Sequence, residues 1–204
     1  MERSRRLQSD RTASTRAAVL EATLELLVEK GYAGTSTRLA ADRAGVSLGA
    51  LQHHFRTKAE LTVESMRFVT ERLADEFIAA IPEEGSDLDR FADAIDRLYV
   101  VFRGPTFAAA VELHLAARTD ETLRDPIRAL HTDVERIIFR SASELMPGMR
   151  DLPGFSALLL TTVSALRGLA LTTMDPVGDI EGEWDVLRTY LIERADELTD
   201  GESA

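Results

Sequence analysis

Cysteine is absent from the chain. That removes disulfides, thiolate nucleophiles and thiolate metal sites together, and it suits a cytoplasmic protein. No run of 18 apolar residues occurs, so no membrane span is expected. The arginines near the N-terminus are not followed by an apolar segment, and a secretory signal is therefore not expected either. Internal repeats and low-complexity blocks are missing, as is the alternation of apolar and polar residues that marks strands. Basic charge is in short supply: 24 Lys and Arg face 35 Asp and Glu, for a net charge of −11, which argues against a uniformly basic coat. A nucleophile placed with a base, a phosphate-binding loop and a cluster of metal ligands are all lacking, so no cofactor and no metal are expected and an enzyme is disfavoured.

What is present is unevenly placed. The chain has 204 residues, 45% of them hydrophobic, which suffices for a buried core. Residues 1–58 hold ten Lys and Arg against six Asp and Glu, a net of +4, while the remainder carries −15. A basic head on an acidic body is the asymmetry that a nucleic-acid-binding head needs. Apolar residues recur at helical spacing throughout. The breaks at P-E-E-G-S-D (82–87), M-P-G-M-R-D-L-P-G (146–154) and M-D-P-V-G-D (174–179) separate the segments. The reading is all-α, with about nine helices. A loose basic arm over the first dozen residues precedes a helix to about Lys30, in which Ala17, Leu20, Leu24, Leu27 and Val28 share a face. Further helices are expected at about 58–81, 87–102, 105–118, 121–145, 155–174 and 181–198.

Residues 35–55, T-S-T-R-L-A-A-D-R-A-G-V-S-L-G-A-L-Q-H-H-F, carry the functional signal. Thr35 or Ser36 can cap one short helix and Ser47 the next, because their hydroxyls accept orphan backbone N–H bonds. Gly45 permits the tight turn between them, which makes a helix-turn-helix. Leu39, Ala40 and Ala44 are expected inward on the first helix, and Leu51 and Phe55 on the second. Leu48, Gly49, Gln52 and His53 are left outward. In such modules the second helix enters the major groove with its N-terminal residues nearest the bases. Leu48, Gly49 and Ala50 are small or apolar, so the helix can approach closely and touch thymine methyls. Gln52 can bond an adenine edge or a phosphate. Thr35, Ser36 and Thr37 offer hydroxyls and N–H groups to a phosphate, and Lys58 offers a charge. The adjacent His53 and His54 raise metal binding as a rival, but neighbouring helical residues diverge and do not converge on one ion.

Residues 16–68 resemble the DNA-binding domain of the TetR family of bacterial transcriptional repressors. The resemblance lies in Gly31-Tyr32, in T-S-T-R-L-A-A-D-R-A-G-V-S, in L-G-A-L-Q-H-H-F and in T-K-A-E-L, with their spacing kept across four helices. It implies DNA contacts from Ser36, Thr37, Leu48, Gly49, Ala50, Gln52, His53 and Lys58. It implies an N-terminal arm and helix-turn-helix domain over 1–57, and a ligand-binding and dimerisation domain over 58–204 whose connecting helix is about 58–81. It further implies a homodimer built on the last two helices, a palindromic double-stranded DNA operator and an unknown small-molecule effector. One departure stands out: the family often has an aromatic, usually tyrosine, where this chain has Gln52.

In the C-terminal part, Phe102, Phe107, His114, Arg167 and Met174 are candidates for the effector site, and each is open to a plainer reading as core. Arg167 lies inside an apolar run, so it requires an acidic ligand, a carboxylate of another helix or an interface. Leu166, Trp184, Leu187 and Leu191 are the dimer-interface candidates. Two rivals remain beside a ligand-responsive repressor: an all-α carrier or enzyme using an internal cavity, and a regulator whose head acts through a protein partner.

Overall fold

The computed structural model describes residues 2–82, 84–172 and 180–200, with side chains given outside 2–11, 180 and 181. Among the described residues there are nine helices and no strand. They are α1 (Glu2–Gly34), α2 (Thr37–Ala44), α3 (Leu48–His54), α4 (Lys58–Ala80), α5 (Asp87–Phe102), α6 (Pro105–Ala116), α7 (Glu121–Leu145), α8 (Phe155–Thr172) and α9 (Ile180–Asp200). The expected loose arm is instead helical, since α1 begins at Glu2. Neither glycine nor proline occurs between residues 2 and 30, so nothing in the local sequence breaks the helix there. Gly31 does break it, at φ 65° and ψ −179°, a backbone region essentially confined to glycine. Pro126 does not interrupt α7. It lies in the second turn, where it removes the N–H that would otherwise bond the Thr122 carbonyl.

Two compact units result: Met1–Glu71 with Ala109–Val134, and Arg72–Ala108 with Glu135–Ala204. The first unit draws on residues from both sides of the boundary expected after residue 57. Its core joins Val19, Leu20 and Leu26 of α1 to Ala40 and Ala41 of α2, Leu51 of α3 with Phe55 just beyond it, and Leu61 of α4, with Val46 packed against them in the turn. Full burial of each leucine or phenylalanine contributes about 1.5–3 kcal/mol. The buried face is rotated from the expected one. Val28 and Leu39 are about two-fifths exposed, at 40% and 39%, and Ala41 takes the inward place. The small alanines at 40 and 41 take the face of α2 that packs with α1, and Leu39 is left at the surface.

In the second unit α5, α8 and α9 approach one another most closely. Phe91, Ile95, Met146, Phe155, Leu166, Trp184 and Leu191 lie in one apolar cluster, with Phe77 and Ile78 of α4 packed against it. Ser86 and Asp89 form a capping box that starts α5. Asp87 accepts from the backbone N–H groups of Gly148 and Met149, and Arg90 donates to the carbonyls of Leu145 and Gly85, so the 146–154 turn is tied to the start of α5. The Tyr99 and Trp184 rings stack with centroids 4.3 Å apart, and Arg188 makes a two-pronged pair with Asp96 at 2.7 and 2.9 Å, which fixes α9 on α5. Among the described residues α8 alone has the length and apolar composition of a membrane span, and its buried face belongs to this cluster.

Candidate nucleic-acid interface

The reading head is assembled by caps. Ser36 Oγ accepts from the Leu39 N–H at 3.2 Å and starts α2. Gly45 ends it at φ 68° and ψ 28°, a left-handed conformation that glycine adopts at low cost. Ser47 Oγ accepts from the Ala50 N–H at 3.2 Å and starts α3. Thr57 Oγ1 accepts from the Glu60 N–H at 3.0 Å and starts α4, and the Glu60 carboxylate accepts from the Arg56 N–H at 2.8 Å. Four helix ends are thereby fixed within about twenty residues, and the direction of α3 follows from them.

The faces of α3 divide cleanly. Leu51 is sealed in the core, as is Phe55 just beyond its end. Leu48, Gly49, Gln52 and His53 are exposed and Ala50 is half-buried. A Cβ on Gly49 would meet no atom within 4 Å, so the exposed surface at the start of the helix is flat and open. His54 is half-buried beside Phe55, and the His53 and His54 rings meet edge to face at 5.5 Å. Among the described residues no group of three His, Asp or Glu is disposed to hold a metal ion.

Around α3 the expected phosphate donors fall in three states. Thr35 is buried and its hydroxyl donates to the Gly31 carbonyl at 2.8 Å, so its side chain is already committed. Ser36 uses one lone pair for the cap and retains an O–H proton that can be donated, while Thr37 is half-buried. Lys58 is half-buried with its ammonium 3.9 Å from the centre of the Tyr32 ring. Burial pulls its pKa below the ordinary lysine value, against the opposing pull of Asp120 and Glu112. The neighbouring arginines separate likewise. Arg43 is held by Glu29 through two bonds of 2.7 Å, and Arg16 by Glu64 at 2.7 Å. Arg38 and Arg56 are exposed, and no side-chain ion pair holds either among the described residues. They are the functional candidates that the sequence reading left out, although their positions flanking α3 were the available signal.

The effector-site candidates are divided between the two units. Phe102 and Phe107 meet edge to face at 4.9 Å in the second unit. His114 is exposed in the first unit, where its ring lies 6.1 Å from that of His131. Arg167 is half-buried on α8, where burial lowers its pKa and the Glu135 carboxylate opposes that shift. Met174 lies outside the described residues. Two residues not foreseen stand out instead. The hydroxyls of Thr23, Thr62, Ser65, Thr70 and Ser143 all donate to the carbonyl four residues earlier, the usual refuge of a helical hydroxyl. Ser141 on α7 and Thr162 on α8 do not. Both are buried in the second unit and hold no hydrogen-bond partner. Arg167 comes five residues after Thr162, about 140° around the helix, so the two face different neighbours.

The dimer-interface candidates are placed inside. Leu191 and Leu166 are 0% and 1% exposed, Trp184 is buried under Tyr99, and Leu187 packs on the same cluster. Leu166, Trp184 and Leu191 are consumed by the core of their own unit, and Leu187 is half-buried against it. Among the described residues, the large apolar side chains that α8 and α9 show to solvent are Leu160, Leu171, Val186 and Tyr190.

Comparison with known proteins agrees with this geometry. Residues 19–64 match the family of bacterial regulatory proteins, tetR family. The HTH-type transcriptional regulator CymR of Pseudomonas putida is 30% identical over 179 residues, covering 85% of this chain and 86% of that one. A Rhodococcus chain described as a TetR-family transcriptional regulator shares the fold with a TM-score of 0.69 at 22% identity, over 91% of this chain and 98% of that one. FadR of Bacillus subtilis, solved in complex with stearoyl-CoA, does so with a TM-score of 0.62 at 16% identity, over 86% and 97%. A capped helix-turn-helix with an open α3 face, the matching family region and a full-length relative agree: the chain belongs to the TetR family of helix-turn-helix transcriptional regulators.

Proposed function

We propose that the protein is a homodimeric repressor that reads a palindromic operator and responds to a small molecule. One observation carries the DNA reading: the exposed face of α3 is small and uncharged at Leu48 and Gly49, polar at Gln52 and His53, and flanked by the unpaired cations Arg38 and Arg56. On this reading Leu48, Gly49 and Ala50 meet base edges and methyls, and Gln52 and His53 donate to base or phosphate. Ser36, Thr37, Arg38, Arg56 and Lys58 hold the backbone. Residues 1–57 form the arm and reading head, and 58–204 take effector and partner. With glutamine at position 52, hydrogen bonding stands in for the aromatic contact common in the family.

The second copy docks on the exposed apolar residues of α8 and α9, Leu160, Leu171, Val186 and Tyr190, in place of the buried set. Dimerisation puts two heads about 34–36 Å apart or a multiple of that, the spacing of a DNA turn. On this reading the effector site uses Ser141 and Thr162, with Phe102 and Phe107 the aromatic candidates of the same unit. Among the described residues of the second unit the buried polar side chains are these two hydroxyls, with no buried charge. A charged ligand group would lack a partner there, so the fitting class is an uncharged, mainly apolar molecule bearing one or two oxygen functions. The long acyl chain of the stearoyl-CoA bound by FadR is in keeping with an apolar site. The effector acts through unequal affinity for two head spacings, passed along α4.

Selection of bound duplexes from random DNA at two salt concentrations tests the reading. An inverted repeat with binding that falls steeply with salt is expected. No enrichment by the folded protein would remove the DNA reading.

A further inference from the structure

The first unit ties two carboxylates from later in the chain to the tyrosine that follows the break in α1. Glu112 near the end of α6 and Asp120 at the start of α7 both reach Tyr32, some eighty residues earlier in the chain. The Tyr32 N–H donates to Glu112 Oε1 at 2.7 Å, and the Tyr32 hydroxyl donates to Asp120 Oδ2 at 3.0 Å. Over the same ring lies the Lys58 ammonium, 3.9 Å from its centroid. Each carboxylate is held in place by further bonds or by shape. Asp120 Oδ1 accepts from the N–H and the hydroxyl of Thr122 at 2.9 and 2.6 Å. Glu112 occupies the space that Gly31 leaves by having no Cβ. The ammonium therefore lies over a ring that two fixed carboxylates bond, and their charges act on it without an ion pair to either, whereas Arg38 and Arg56 are exposed.

We propose that Glu112 and Asp120 restrain Lys58, so that α6 and the start of α7 set operator affinity by competing with a DNA phosphate for the same ammonium. This rests on the assignment of Lys58 to the DNA backbone given above. An ammonium has three donors and can serve ring, carboxylate and phosphate only in turn or at longer reach. Fixed carboxylates near the phosphate path also repel the phosphate itself. Glu112 and Asp120 thus act on DNA through Lys58 and touch no base. Any displacement of α6 or of the α7 start relative to Tyr32 would alter the competition, which gives the restraint a route to regulation.

The test is a double-mutant cycle on the intact protein, read by anisotropy of a labelled duplex carrying the selected inverted repeat. Glu112→Gln and Asp120→Asn remove charge and keep an oxygen that accepts the Tyr32 bonds. Each is expected to bind the duplex about threefold to tenfold more tightly, the scale of a screened charge–charge interaction near the surface. The gain is expected to vanish when Lys58→Ala is added. Glu121→Gln, one residue beyond Asp120 and exposed, removes the same bulk charge and is expected to give no gain that depends on Lys58. Equal affinities for parent and variants, or gains that persist in full without Lys58, would overturn the restraint. Failure to recover any duplex in the selection would instead remove the DNA reading beneath it.

Discussion

The carboxylate of Glu112 fills the space beside Gly31 where any other residue would carry its Cβ, and it accepts the N–H of the next residue, Tyr32. Two requirements meet at that glycine, a backbone at φ 65° and ψ −179° and a close approach from α6. Gly31→Ala is expected to cost about 1–3 kcal/mol from the backbone alone, with the displaced Glu112 adding to it. The fall in melting temperature should reach about 2–4 °C for each kcal/mol in a chain of this size. A variant that melts with the parent would show that the break in α1 is not held at Gly31.

Gly49→Glu separates folding from binding. Its Cβ enters open space on an exposed face, so thermal stability should stay within about 0.5 kcal/mol. The added carboxylate would face the groove, and operator binding should be lost. A variant that melts normally and still binds the selected duplex would place α3 outside the groove.

Arg38→Ala and Arg56→Ala should each weaken binding to all sequences alike. Each should also reduce the slope of log affinity against log salt by about one unit, the signature of one lost phosphate contact. A change in which base pairs are selected, with the slope intact, would assign the residue to base readout instead.

For the dimer, two substitutions should part. Leu191 is fully enclosed, so Leu191→Ala should destabilise the fold by about 2–5 kcal/mol. Val186 is 74% exposed, so Val186→Arg should leave melting of the monomer unchanged while splitting the dimer in sedimentation. An intact dimer of that variant would move the interface away from α9.

The hydroxyls at 141 and 162 give the last expectation. Thr162→Val keeps the volume and removes a buried polar group without a partner, so without effector it should hold or raise stability. It should also weaken release of the duplex by compounds that release it from the parent. Unchanged release would take Thr162 out of the effector site.

What could be read from the sequence was local. The bounds of α7 match the expectation at Glu121–Leu145, despite Pro126, because Ile127, Leu130 and Val134 keep one period beyond it. The α2–α3 turn was legible because Ser36, Gly45 and Ser47 each have one cheap use there. Faces were harder to read. An apolar residue such as Leu39 or Leu191 declares that it can be buried, and only the packing of neighbours decides whether it is outward or enclosed. Least legible were Glu112 and Asp120. Nothing in their own segments signals a partner at Tyr32, so the contact exists only in the folded chain.

Leu48, Gly49, Gln52 and His53 contribute almost nothing to the core, which is carried on α3 by Leu51 and just beyond it by Phe55. The two duties of one short helix therefore fall on different letters of the sequence. If α3 docks as proposed, substitutions on the outer face change which DNA is preferred while leaving the melting point where it was. A duplicated copy of the gene can drift from one operator to another by single steps, each encoding a folded protein, and the scaffold need not change for the regulatory address to be rewritten.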